Sequence, residues 1–144
     1  MKKTTITIIS IIAVLLFTEC KKYQDGPLIS FRSKKSRVEG TWKYDKVLVN
    51  NEDKTAEVVG AEIEFATDGT FTCKRNVPGT SIMLESKGSW ALSNNDCSID
   101  LLSTSTYGSS LQRWNILKLK NKELWLENVA YESKTEWHLT GNGQ

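Results

Sequence analysis

The sequence predicts an all-β fold, an antiparallel up-and-down meander of about eight strands closing into a lipocalin-like barrel. Three observations predict it. From Val38 onward the apolar residues recur mostly at every second position, the period of a half-buried strand. Turn signals interrupt that alternation about every thirteen residues. No segment between them is long enough for a helical crossover, so consecutive strands must be antiparallel. A meander of this size removes its exposed edges by curling into a barrel or a tightly bent sandwich.

The elements follow in order. Val38 to Asn50 reads as the first strand: Trp42 and Tyr44 share one phase and Val47 and Val49 the other, which places a twist or bulge near Asp45. Asn50-Asn51-Glu52-Asp53 is a polar turn. Glu62-Ile63-Glu64-Phe65 alternates cleanly, Asp68-Gly69 is the strongest hairpin signal in the chain, and Phe71-Thr72-Cys73 runs back. Pro78-Gly79 turns again, Ser86 to Leu92 holds Trp90 and Leu92 in one phase, and Asn94-Asn95-Asp96 precedes a strand with Ile99 and Leu101. Gly108-Ser109-Ser110 then separates that strand from Trp114 to Leu119. Asn121-Lys122 leads into Leu124-Trp125-Leu126, and the last strand, near Ser133 to Thr140, sets Trp137 and Leu139 opposite Glu136 and His138.

Composition agrees with one globular domain. The 144 residues are 39% hydrophobic and 25% charged, with 9 Gly and 2 Pro, which excludes disordered, collagen-like and disulfide-dense chains. The net charge of +2 conceals an asymmetry. Residues 1–37 hold 8 Lys/Arg against Glu19 and Asp25, whereas residues 38–144 hold 11 against 15 acids. An acidic body speaks against nucleic acid as a partner, because neutralising phosphates needs a basic face.

The N-terminus is a sorting signal. Lys2 and Lys3 precede an apolar run from Ile6 to Phe17, the length of a signal-peptide core and short of a membrane span. The run ends at Leu16-Phe17-Thr18-Glu19-Cys20. This resembles a bacterial lipoprotein leader, although such leaders favour a small residue where Glu19 stands and Leu where Phe17 stands. The resemblance implies cleavage after residue 19, lipidation of Cys20 and a lipid anchor in the cell envelope, at the outer membrane. Residues 20–37 would be the lipidated cysteine and a basic tether, since Lys21, Lys22, Arg32, Lys34, Lys35 and Arg37 face only Asp25. Cys-Lys-Lys is similar to the start of many Bacteroidota lipoproteins. The acidic run that often marks surface export in that group is missing, so either face of the membrane stays open.

A second resemblance covers residues 38–140. Gly40-Thr41-Trp42 is similar to the G-x-W motif of lipocalins. Phe65-Ala66-Thr67-Asp68-Gly69-Thr70-Phe71 resembles the F-x-x-D-G-T-F hairpin of small bacterial lipocalin-like lipoproteins, and Gly88-Ser89-Trp90, Trp114-Asn115-Ile116 and Leu124-Trp125-Leu126 follow in the same order. Two departures stand out. The domain is shorter than a full-length lipocalin, and no Arg follows Arg113 to cover the motif Trp from the last strand. The likeness implies a barrel and an interior pocket, without naming a ligand.

Candidate chemistry is sparse. His138, the only histidine, lies in the outward phase, and no G-x-S-x-G elbow offers it a nucleophile. Glu62 and Glu64 read as the solvated face of an amphipathic strand rather than a catalytic pair. Asp96 and Asp100 lack a calcium-loop pattern, and no metal or cofactor is expected. Cys73 and Cys97 could form a disulfide in an oxidising envelope or remain two small buried residues. Trp42, Phe65, Phe71, Trp90, Trp114 and Trp137 share the inward phase and are the expected pocket wall, unless the indoles plug the barrel. Trp125 points outward if Leu124 and Leu126 face the core. These readings favour a non-enzymatic, lipid-anchored protein binding a small apolar or amphipathic ligand. The alternative is a protein-interaction module, such as a periplasmic inhibitor or immunity lipoprotein, meeting a basic target through loops like Asn51-Glu52-Asp53.

Overall fold

The computed structural model describes residues 32–105 and 108–141. A short helix, α1 (Lys34–Val38), precedes nine strands: β1 (Gly40–Val49), β2 (Glu52–Asp53), β3 (Glu62–Phe65), β4 (Thr70–Asn76), β5 (Met83–Ser93), β6 (Ser98–Ser105), β7 (Gly108–Leu119), β8 (Glu123–Ala130) and β9 (Ser133–Gly141). A 3-10 helix, Thr55–Val58, lies between β2 and β3. β1 pairs with both β2 and β3, the strands from β3 to β9 pair in sequence order, and β1 also pairs antiparallel with β9 along most of its length. That seam closes an eight-stranded barrel, with β2 as a two-residue ribbon on the end of β1.

The register explains the change of phase in β1. A bulge between Tyr44 and Lys46 re-aims the strand, so Trp42 and Val47 are both buried although five residues apart. A second bulge, between Ile116 and Lys118 in β7, lies where the sequence carries no turn residue. Glycine has a packing role in β5. A Cβ at Gly88 would collide with the carbonyl oxygen of Leu102 and come within 2.8 Å of the Phe71 ring. The strand therefore bends closely over its neighbour there.

The core gathers toward one end of the barrel. Trp42, Ile63, Phe65, Trp90, Ile99, Trp114, Leu119, Leu124, Leu126 and Leu139 are all buried in it, and α1 closes that end with Val38 fully buried. Among the described residues, every member of this core lies between Val38 and Leu139.

The structure differs from expectation at three places. Lys34–Val38 is helical rather than tether or strand: Ser33 caps it by accepting from the Ser36 amide at 3.1 Å, and five residues are too few for a helical period to show. Gly108-Ser109-Ser110 lies inside β7 rather than separating two strands. The β8–β9 turn uses Tyr131 and Glu132 at φ of 50° and 65°, residues that give no turn signal in the sequence.

Candidate functional site

The barrel has a packed floor and a hollow upper half. The floor grows from the two motifs. Trp42 Nε1 donates to the Val38 carbonyl at 2.7 Å, pinning the first strand to α1. Arg37, buried in the same helix, donates from Nη1 to the Leu119 carbonyl at 3.2 Å. A cation thus reaches the barrel end from before β1, not from the last strand. At the neighbouring hairpin Gly69 adopts φ 85°, and Asp68 Oδ1 accepts from the Thr70 amide at 2.9 Å and its hydroxyl at 2.7 Å. These bonds hold the Asp68 carboxyl below its usual range. Trp90 fastens that turn from the adjacent strand β5: its backbone amide donates to Gly69 O at 2.7 Å and its Nε1 to Ala66 O at 2.9 Å. Phe65 meets the Trp90 ring edge-on at 5.3 Å between centroids.

Above this floor lies a cavity of about 310 Å³. Val58, Ala61, Ile63, Phe71, Leu101 and Trp137 form its apolar wall, and Tyr44, Cys73, Arg75, Ser86, Ser103 and Gln112 contribute its polar atoms. The short β3 leaves the upper part of β1 uncovered, and the segment carrying Val58 and Ala61 fills that place. Tyr44 N donates to Ala61 O at 3.2 Å and Val47 N to the Thr55 hydroxyl at 3.1 Å.

Tyr44 and Cys73 face each other in this wall, oxygen to sulfur at 3.8 Å. Burial first, and then the adjacent Cys73, raise the Tyr44 hydroxyl well above its usual pKa of 10.0, while Arg75 works in the opposite sense. Burial likewise raises the Cys73 thiol, with the Tyr44 hydrogen bond and Arg75 pulling it down. The charge of Arg75 is therefore felt at both groups, at Cys73 two positions deeper on the same face of β4 and at Tyr44 on β1.

Of the six expected wall residues, Phe71 and Trp137 line the cavity. Trp42, Phe65, Trp90 and Trp114 do not: Trp42, Phe65 and Trp90 belong to the floor, and Trp114 is buried behind the cavity, its ring stacked on Trp137 at 3.6 Å between centroids. Inward phase was correct for them, but their heights along the barrel put them beside the closed end. Sequence reading missed Tyr44, Arg75 and Gln112. Their signal was present, because Arg75 shares the face of Phe71 and Cys73 on β4, and Gln112 that of Trp114 on β7.

The pairing of Cys73 with Cys97 is not formed, and Cys73 is a free thiol. Cys73 stands opposite Ser86, whereas Cys97 follows the turn after Ser93. Seven residues of β5 separate those levels, about 23 Å at 3.3 Å per residue, and a disulfide needs Cα atoms within about 7 Å. Cys20 and the leader lie outside the described residues.

The outer wall carries a separate cluster. Trp125 points outward and is covered there: the His138 ring stacks on it at 4.1 Å, and Lys118 Nζ lies 4.2 Å from its centroid. His138 Nε2 lies 2.6 Å from Glu136 Oε1, and Lys118 pairs with Glu123 at 3.1 Å. This ladder braces β7, β8 and β9 on the side away from the cavity. Glu62 pairs with Lys43 at 3.9 Å, and Asp100 with Arg113 at 2.7 Å. Among the described residues no group of three or more His, Cys, Asp or Glu is arranged to hold a metal ion, and no helix is long and apolar enough to cross a membrane.

No protein-family model matches the sequence, and no curated protein does so at a significant level.

Proposed function

We propose that this chain is a non-enzymatic, lipid-anchored protein of the cell envelope whose barrel binds a small apolar or amphipathic molecule. The cavity carries the reading. At about 310 Å³ it falls within the usual size of small-molecule sites, and it combines an apolar wall with a few polar groups, as such sites do. The cluster of motifs that resembles lipocalin-like lipoproteins points the same way.

The anchor rests on the apolar run ending at Cys20, and the charge of the barrel ends supports it. The described chain begins at Arg32, at the end closed by α1. Loops at that end hold Arg32, Lys34, Lys35, Arg37, Lys120 and Lys122 against Glu39, Asp68 and Asp96. Those at the open end hold Lys54 against Glu52, Asp53, Glu57 and Glu132. An anionic lipid surface attracts the first set and repels the second, which leaves the mouth facing away from the membrane.

A protein-interaction module is the second reading. It is favoured by apolar side chains exposed on the open-end hairpins: Ile82, Met83, Val129 and a fully exposed Tyr131.

Native mass spectrometry of residues 21–144, mixed with a lipid extract of a bacterial envelope, separates the two. The expected result is a discrete adduct that Ser103→Leu, which fills the cavity, abolishes. Bare protein at every lipid concentration refutes ligand binding and turns the search to protein partners. The anchor is tested on the full chain made in bacteria, where acyl label should enter the wild type and not Cys20→Ser. Label retained in the variant, or a Cys20 sulfur found in a disulfide instead of a thioether, refutes lipidation.

A further inference from the structure

Arg75 stands out among the lining residues because its charge has no counterpart. No Asp or Glu lines the cavity, and no ion pair joins Arg75 to a carboxylate among the described residues. Arg113, Lys118 and Lys134, on the outer wall, are by contrast all paired. The position is also specific. Along one face of β4, Phe71 is deepest, Cys73 is intermediate and Arg75 is nearest the mouth, since strand residues two apart share a face. Phe71 and Arg75 are therefore about 13 Å apart along the strand. Ser86, Ser103 and Gln112 add polar groups to the lining, opposite Cys73, Gly88 and Leu101 in turn, and Ile63, Phe71 and Leu101 are among its apolar residues.

Resting on the reading that this cavity holds a ligand, we propose that the ligand is a single-chain anionic amphiphile. Its carboxylate or similar head is held at the mouth by Arg75, and its short chain runs down to Phe71. A guanidinium presents a planar fork that matches a carboxylate, and such charge-assisted bonds are about twice as strong as neutral ones. The volume sets the chain. It equals the share of about ten liquid waters, and a methylene needs similar space, so a chain of about ten carbons fills it. A membrane phospholipid with two long chains does not fit.

The test uses residues 21–144 with decanoate, decanol and decyltrimethylammonium as probes, followed by the change in tryptophan fluorescence to which Trp137 in the cavity wall contributes. Decanoate should bind about tenfold more tightly than decanol, and the cationic probe should bind most weakly. Arg75→Gln should remove the preference for decanoate while leaving decanol binding within about twofold, and Arg75→Lys should keep part of it. Arg75 is exposed at the rim, so both variants should melt with the wild type. Equal binding of acid and alcohol, or a preference that survives Arg75→Gln, overturns the anionic head but leaves the pocket. Failure of all three probes to bind overturns the ligand-binding reading itself, and this inference with it.

Discussion

Tyr44 and Cys73 are two weak acids kept neutral in one wall. Both have their deprotonation made harder by the fold, which couples stability to alkaline pH. At neutral pH both groups are protonated in the folded and unfolded chain, and their contribution to stability is fully present. Above about pH 9 to 10 the unfolded chain releases protons that the folded chain retains, so the contribution falls and is lost as pH passes the raised folded values. Urea midpoints should therefore drop between pH 9 and 11, and Tyr44→Phe should drop less. Parallel curves for the two proteins would sink the coupling. The sequence showed Tyr44 as an inward residue of β1, but not that Cys73 stood against it. That contact depends on the register of three strands, in which Trp42 pairs with Ile63 and Ile63 with Cys73, so that Tyr44 comes to rest beside the thiol.

At the level of elements, hairpins differ in how openly they are written. Asn50-Asn51 and Asp68-Gly69 have turn chemistry that the positive φ of Asn50, Asn51 and Gly69 requires, and both were legible. The β8–β9 hairpin was not, because Tyr131 and Glu132 occupy left-handed conformations that favour Asn and Gly. The register across it, Ala130 opposite Ser133, comes from the pairing of the long flanking strands. Replacing the pair by Tyr131→Asn with Glu132→Gly should therefore stabilise the barrel by about 1 kcal/mol, read from chemical denaturation. An unchanged or lower midpoint would show that the tyrosine gains more from its surroundings than its backbone loses. Helix α1 was hidden for the opposite reason. Its residues KKSR look like a solvated charge run, and only the barrel end beneath them accounts for the burial of Arg37.

For the whole molecule, closure is the decisive event. The seam joins β1 to β9, the first and last long strands of the chain, so its hydrogen bonds bridge the largest loop in the fold. Once closed, neither strand is an edge. Native-state hydrogen exchange should accordingly show the Lys46, Leu48, Glu136 and His138 amides, which face across the seam, about as slow as those of Ile99 and Leu101 in the middle of the sheet. Much faster exchange at the seam would mean that the barrel opens there without unfolding.

Strand number, meander order and the inward face of each strand were determined by the sequence itself, because a period of two is a local consequence of extended backbone and short turns. Trp42 and Trp90 as floor residues, Phe71 and Trp137 as cavity wall, and the separation of Cys73 from Cys97 were decided by the tertiary structure. Those distinctions depend on height along the barrel, which is set by bulges and by the stagger between strands. The space left over is a sum over side chains from all eight strands and the helix beneath them. No single stretch of sequence contains that sum.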